Sequence, residues 1–306
     1  MSTAPGAPVR LPGAPVHLKV AHLTEYRYPE PAWDSFNEVR LYPVEDHCQS
    51  LLSFALELSP DTAVRSHDDY YGTRVHQFHI PEAHRKLAIQ SRSSVVTYPR
   101  PAPIPVSADS LAELRPRFFE FLAPTRRVPL DRDWAAAMRV PALPPDGDLV
   151  DYLSELTRHL HGFFTYRQEV TKIDTPIEDF VRVGVGVCQD YTHAMLALCR
   201  MLGIPSRYVS GYLLTYAPPG KKKLVGSDAS HAWVEAYLPG SGWVGFDPTN
   251  GTIVGQTYVK VGHGRDYDDV PPVKGLRRGG GTESLRVAVS VLREAEPGDS
   301  ASASTA

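Results

Sequence analysis

A glycine-rich turn that runs directly into an apolar helical pattern, over residues 184–203, is the feature that most constrains this chain. Cys188 lies at the junction of turn and helix, and Gly203 stands where a helix end favours glycine. Unpaired backbone N–H groups and the helix dipole stabilise a thiolate at such a position, and the thiolate is the nucleophilic form of cysteine. A cysteine that only packs in the core is the alternative interpretation. The residues that recur at helical spacing are Met195, Leu198, Cys199 and Leu202.

Two alternating apolar segments around a Pro/Gly/Ser cluster predict a β-hairpin further along the chain. Side chains on one face of a strand recur every second residue, so His231 and Trp233 share a face. If Tyr237 pairs with Trp243, Trp233 lies opposite Asp247 and His231 is the diagonal neighbour of that carboxylate. A register shifted by two places His231 directly opposite Asp247. Both registers keep the imidazole within reach of the carboxylate, whereas a shift of one separates them.

A thiolate, an imidazole and a carboxylate together form a unit suited to acyl transfer. The thiolate attacks an amide or ester carbonyl and leaves an acyl-enzyme thioester, and the imidazole protonates the leaving group. The carboxylate fixes the imidazole tautomer and supports its positive charge. The sequence therefore predicts nucleophilic chemistry at Cys188, with His231 and Asp247 as its partners.

The residues around these positions resemble the bacterial transglutaminase-like superfamily. The segments that carry the resemblance are GVCQDYTHAMLALCRMLGIPSRYVSGY, SHAWVEAYLPGSGWVGFDPTNG and GRDYDDVPP, with VAHLTEYRY, FNEVRL and DDYYGTRV upstream. Together they extend the resemblance over most of residues 17–290. The resemblance implies a papain-like core with Cys188 as nucleophile, His231 as general base and acid, and Asp247 as the residue that orients the imidazole.

The predicted fold class is α+β. An N-terminal antiparallel, β-sandwich-like module precedes a transglutaminase-like core, in which the helix bearing the cysteine packs on an antiparallel sheet. The predicted divisions are a disordered segment (1–15), the β-rich N-terminal region (16–105), a helical connector (106–147), the catalytic core (148–270), a C-terminal strand that returns to the β-module (271–294) and a disordered tail (295–306).

The resemblance leaves the second half of the reaction open. Superfamily members are similar both to amide-cleaving cysteine peptidases and to protein crosslinkers, which differ in whether water or a lysine amine accepts the acyl group. The two-part bacterial architecture favours a hydrolase acting on a peptide or protein. The alternatives are a protein-glutamine gamma-glutamyltransferase and a non-catalytic protein-binding module of the same fold.

Further site residues are predicted around the triad. The backbone N–H of Cys188 is the first candidate donor to an oxyanion, because it lies at a helix N-terminus. Tyr166 is a candidate second donor, with aromatic packing as the equally good alternative. Gln189 and Trp233 are further candidates for oxyanion or substrate contacts, and Trp233 is as well explained by packing. Arg265 and Asp266 are predicted to form a supporting ion pair.

Composition narrows the class of partner. A net charge of −3 gives no reason to expect nucleic acid or an anionic membrane as partner. Three cysteines provide no disulfide framework and favour a reducing, cytoplasmic location. The paired histidines lack CxxC or HExxH companions, so no metal site and no cofactor are predicted. These pairs are His76 with His79 and His159 with His161.

Overall fold

The computed structural model describes residues 13–144, 146–215 and 230–294 of the 306-residue chain. The predicted disordered tail lies outside this range, as does all but the end of the predicted disordered N-terminal segment. Within the described residues, no helix combines the length and the apolar character needed to cross a bilayer.

A single long strand organises the N-terminal β-module. β1 covers 24 residues, and its first half pairs with β5 and β14 while its second half pairs with β4 and β13. The pairing with β5 is interrupted between Arg27 and Ala32, where Pro29 and Pro31 cannot donate backbone hydrogen bonds. The strands of the module are β1 (Val16–Val39), β2 (Gln49–Ser59), β3 (Val64–Asp68), β4 (Arg74–Ile80), β5 (His84–Thr97), β13 (Val273–Gly279) and β14 (Ser284–Arg293).

The two halves of this seven-stranded sheet enclose an apolar core. Side chains from β1, β4 and β5 meet there because alternate residues of each strand point inward. The module is thus one curled antiparallel sheet with a sandwich-like interior, and two strands that follow the catalytic core in sequence complete it. The buried core residues are Tyr28, Ala32, Val39, Leu41, Phe78, Ile80, Leu87 and Ile89.

A short helical connector links the module to the core. It consists of 3-10 turns at Ala108–Leu114 and Phe119–Phe121 and the helix α1 (Trp134–Ala137). The helices that follow are α2 (Leu149–Phe163), α3 (Ile177–Val183) and α4 (Cys188–Met201), and the strands are β6 (Thr165–Tyr166), β7 (Val185–Gly186), β8 (Ser206–Leu213), β9 (Ser230–Leu238), β10 (Gly242–Asp247), β11 (Thr252–Ile253) and β12 (Tyr258–Gly264).

In the core, α4 packs on a five-stranded antiparallel sheet with the order β11-β10-β9-β8-β12. The fold class is therefore α+β, as predicted. The sequence predicted one buried stripe on the cysteine-bearing helix, but α4 is buried on all sides from Gln189 to Arg200. The reason is that α1, α2 and α3 also contact α4, on surfaces that the sheet leaves uncovered.

The β-module and the five-stranded sheet share a second apolar core. Leu18, Val20 and Val289 of the module pack with Tyr212 and Val259 of the five-stranded sheet. Polar contacts reinforce this junction, because the side chain of Gln49 donates to the Lys260 carbonyl at 2.8 Å and accepts from the Lys260 N–H at 2.9 Å. The module is consequently fixed against the sheet that carries the candidate site.

Candidate active site

Cys188 is the first residue of α4, directly after the extended residue Val187. The turn before it depends on two glycines. Gly184 has φ +74°, and a Cβ on Gly186 would lie 2.7 Å from the ring of Phe180. The backbone N–H groups of Cys188 and Gln189 have no hydrogen-bond partner among the described residues. Two donors at a helix N-terminus are thus free to bind an oxyanion.

His231 occupies the start of β9, in the first of the two predicted registers. Tyr237 pairs with Trp243 in the β9–β10 hairpin, which confirms that register. His231 Nε2 lies 2.7 Å from Asp247 Oδ2. Cys188 and His231 line the same cavity, and because Nε2 faces the carboxylate, Nδ1 is the ring nitrogen left available to the thiol.

Asp247 is completely buried at the end of β10 and is surrounded by donors. Its Oδ1 accepts from the backbone N–H groups of Thr249 at 2.9 Å and Asn250 at 3.2 Å. Its Oδ2 accepts from Asn250 Nδ2 at 2.6 Å and from the Tyr258 hydroxyl at 2.8 Å, in addition to His231. Burial alone would raise the pKa of Asp247, but these partners outweigh it and lower the pKa.

The charge balance of the site favours an imidazolium. Burial alone would lower the pKa of His231, but hydrogen bonds and charge interactions with Asp247 and Cys188 raise it to about 10. Tyr258 remains protonated, because burial and the neighbouring Asp247 charge raise its pKa. The interactions of the site therefore favour an anionic carboxylate beside a cationic imidazole.

Cys188 and His231 open into a largely apolar cavity of about 500 Å³. The catalytic core and the β-module both line it, so the module forms part of the site. The core contributes Tyr166, Gln168, Glu169, Ile173, Gln189, Tyr208, Ser210 and Tyr267, and the module contributes His22, Thr24, Tyr26, Val273, Leu285 and Val287.

The remaining predicted site residues have different positions. Tyr166 and Gln189 line the cavity beside Cys188, although the Gln189 amide donates to the carbonyl of Ile173 at 2.7 Å and so anchors the loop that precedes α3. Trp233 is corrected as a candidate for substrate contact. Its side chain is completely buried behind His231, against the ring of Tyr258, because the same face of β9 enters the core there.

The predicted ion pair between Arg265 and Asp266 does not form. Arg265 pairs with Asp269 at 3.0 Å instead, since a 3-10 turn at Tyr267–Asp269 brings that carboxylate back onto the guanidinium. Asp266 caps this turn by accepting from the N–H of Asp268.

Asn250 and Tyr258 are site residues that the sequence did not indicate. Asn250 belongs to the turn after β10, where a short amide reaches back to the preceding carboxylate, and the TNG sequence at residues 249–251 was the available signal. Tyr258 is the first residue of β12, and no local sequence pattern predicts its contact with Asp247.

The histidine pairs considered as metal ligands have other roles. His76 stacks with Phe54 and His79 with Phe36, while His159 and His161 bond to backbone carbonyls. Among the described residues, one group brings three possible ligand atoms within 4.8 Å of one another, namely Asp46, His47 and Cys48. Asp46 there already accepts from the N–H groups of Cys48 and Gln49.

Two known protein-family models match this chain. The model of the transglutaminase-like superfamily matches residues 135–248, and that of the bacterial transglutaminase-like N-terminal region matches residues 18–96. The chain belongs to the bacterial transglutaminase-like superfamily. An uncharacterised protein of Mycobacterium tuberculosis is 36% identical to this chain over 275 residues, which are 84% of this chain and 86% of the relative.

The chain is also similar to two further proteins. The crystal structure of a protein from Cytophaga hutchinsonii, described as a candidate cysteine protease, superposes with a TM-score of 0.73 at 21% identity, covering 92% of this chain and 91% of the other. That likeness shows the fold. A protein-glutamine gamma-glutamyltransferase of Pseudomonas aeruginosa is 32% identical over 143 residues, which are 46% of this chain and 21% of that protein.

Proposed function

We propose that this protein is a transglutaminase-like cysteine enzyme that forms an acyl-thioester on Cys188 and hydrolyses a peptide or amide bond. The observation that carries the proposal is the placement of His231, whose Nε2 lies 2.7 Å from Asp247 Oδ2 and which lines the same cavity as Cys188. A core that merely packs a cysteine has no need of a buried carboxylate and an open cavity beside it.

In the first half-reaction, the Cys188 thiolate adds to the carbonyl carbon of the amide and forms the S–C bond. The carbonyl oxygen becomes an oxyanion that the N–H groups of Cys188 and Gln189 can bind. His231 then gives its proton to the amide nitrogen, the C–N bond breaks, and an amine leaves. Asp247 holds the imidazole orientation and supports its charge until that proton is transferred.

In the second half-reaction, a water molecule replaces the departed amine. The neutral imidazole of His231 takes a proton from this water as its oxygen attacks the thioester carbonyl. The S–C bond breaks, a carboxylic acid leaves, and the thiolate–imidazolium pair is restored.

Transamidation is the second candidate, favoured by the similarity to the Pseudomonas aeruginosa gamma-glutamyltransferase. Here a lysine amine attacks the thioester instead of water and an isopeptide bond forms. Both activities use the same acylation step, so incubation with a peptide library, with and without a lysine-analogue amine, separates them. Shortened or deamidated products support hydrolysis, and amine incorporation that outpaces hydrolysis supports the transferase.

Alkylation of Cys188 by iodoacetamide across pH tests the proposed acylating thiol against the non-catalytic binding module. The catalytic proposal predicts labelling well below the pH expected of an ordinary cysteine, and the His231→Gln variant should lose this advantage. Labelling of Cys188 only above about pH 8 would overturn the proposal. Cys48 and Cys199 are internal controls, because burial raises the pKa of both thiols and that of Cys199 reaches about 12.

The proposal extends to a cytoplasmic location and a peptide or protein substrate, without nucleic acid, membrane or cofactor. Cys48, Cys188 and Cys199 are all free thiols, which suits a reducing compartment. Fractionation of cells followed by detection of the protein tests the location directly.

A further inference from the structure

The face that the β-module presents to the cavity is a continuation of its buried core. Tyr26 pairs with Leu285, Thr24 with Val287 and His22 with Val289 across the β1–β14 ladder, so these side chains share one face of the sheet. Along this face Val289 and Val291 are completely buried, whereas Val287 and Leu285 are 49% and 51% exposed. The apolar stripe of β14 therefore emerges from the core at the cavity that contains Cys188.

Two exposed apolar side chains from the catalytic core line the same cavity. Tyr166 is 45% exposed and Ile173 is 54% exposed. When a ligand covers large apolar side chains that a concave site leaves in contact with water, the burial of their surface stabilises the complex. The positions of Tyr166, Ile173, Leu285 and Val287 make the cavity apolar on both its module side and its core side.

The charges around the cavity restrict what can enter it. Apart from the imidazole of His231, which is paired with Asp247, the described lining residues include no lysine, arginine or other group that could pair with an acidic side chain of the substrate. His22 is neutral there, because burial lowers its pKa to about 4, and its two ring nitrogens lie 2.9 Å from the Tyr212 hydroxyl and 3.0 Å from the Thr24 hydroxyl. Glu169 is the carboxylate that lines the cavity.

We propose that Leu285 and Val287 of the β-module select the acyl donor, by binding an uncharged apolar side chain close to the carbonyl that Cys188 attacks. This proposal rests on the proposed acylation chemistry and assigns the β-module a role in specificity. The N-terminal module thereby forms one wall of the substrate site. The residues of this wall lie on β14, a strand that follows the core in sequence.

Alkylation by three acetyl-dipeptide chloromethyl ketones tests this selectivity, because the Cys188 sulfur displaces chloride and each adduct is read by intact mass. The probes carry two leucines, two glutamates or two lysines. The wild-type protein should react fastest with the dileucine probe. The Leu285→Ser/Val287→Ser variant should lose about tenfold of that preference, since even one methylene in a hydrophobic pocket is worth about tenfold in discrimination.

Leu292→Ser is the matched control. Leu292 is an exposed leucine of the same strand that lines a different surface hollow, and its replacement should leave the preference unchanged. The Val287→Lys variant should raise the relative rate of the diglutamate probe. An unchanged leucine preference in the double variant, or a wild-type preference for a charged probe, would overturn the inference.

Iodoacetamide separates failure of this inference from failure of the proposed function. This reagent carries no peptide side chain, so its rate with Cys188 in the wild type and in the Leu292→Ser control reports the activation of the thiol alone. A normal iodoacetamide rate in the wild type, together with an unchanged probe preference in the double variant, refutes only the selectivity assigned to Leu285 and Val287. An unactivated Cys188 in the wild type refutes the acylation chemistry and the wall proposal with it.

Discussion

Two buried carboxylates on neighbouring strands, Glu235 on β9 and Asp247 on β10, have opposite surroundings. Glu235 lies 2.7 Å from the Lys260 ammonium and 2.6 Å from the Arg207 guanidinium, and the side chains of all three residues are nearly inaccessible. Asp247 instead accepts from the neutral donors Tyr258 and Asn250 and from backbone N–H groups, with the imidazole of His231 as its titratable partner.

The difference separates a structural carboxylate from one suited to catalysis. Two permanent cations lower the pKa of Glu235 against the opposing effect of burial, and they fix its charge in place. His231 and the neutral donors Asn250 and Tyr258 together keep Asp247 ionised, and the charge of Asp247 in turn stabilises the imidazolium. Loss of Glu235 should therefore affect folding, and loss of Asp247 should affect reaction rate.

The largest expected effect is that of Asp247→Asn on acylation. The variant keeps the side-chain shape but removes the charge that supports the imidazolium, and the rate should fall roughly 10³-fold. Release of 4-nitrophenolate from 4-nitrophenyl acetate measures it, with Cys188→Ala as the background. A fall of less than tenfold would contradict the assigned role.

Glu235→Gln should have the largest effect on stability. The substitution leaves the buried Lys260 ammonium and the partly buried Arg207 guanidinium without a counter-charge, and the free energy of unfolding should fall by about 3–5 kcal/mol. Urea denaturation measures this loss. The exposed Glu57, which pairs with Arg92, provides the control, since Glu57→Gln should change stability by less than about 1 kcal/mol. Equal losses of stability in the Glu235→Gln and Glu57→Gln variants would contradict the structural role assigned to Glu235.

The pH dependence of stability should report the charge that His231 carries beside Asp247. The folded pKa of His231, about 10, lies above its unfolded value near 6.5, so its stabilisation is complete below pH 6.5 and is lost as the pH rises through 10. The stability difference between wild type and Asp247→Asn should therefore shrink over this interval. Denaturation at pH 6 and pH 10 measures it, and a constant difference would refute the imidazolium assignment.

The smallest expected effect is that of Tyr258→Phe. The variant removes one of several donors to Asp247, and we expect acylation to slow by about three- to tenfold, with a loss of stability near 1 kcal/mol. Tyr152→Phe is a matched control, because the Tyr152 hydroxyl donates to the Pro141 carbonyl away from the site. Ester hydrolysis by both variants distinguishes them, and equal rates would argue that Tyr258 does not position Asp247.

Much of the site could be predicted because its signals are local. A cysteine at a helix start is visible as a glycine turn followed by a helical repeat, and the placement of His231 near Asp247 follows from strand periodicity and a short hairpin. The same local logic left two roles open for Trp233, substrate contact and packing, and its complete burial favours packing. Alternation indicates which face a side chain occupies, but burial of that face depends on β12, whose Tyr258 covers it.

The sequence alone determined the α+β class, the cysteine-bearing helix and the hairpin that brings the histidine to the carboxylate, because each depends on contacts within a few residues or across one tight turn. The tertiary structure decided the partners of Asp247, the Glu235 ion cluster and the entry of β1 and β14 into the cavity. Such contacts join residues as far apart in the sequence as His22 and Val289, and no repeat or spacing in the sequence predicts them. They exist because β14 returns to β1 and because the two sheets bury one apolar core between them.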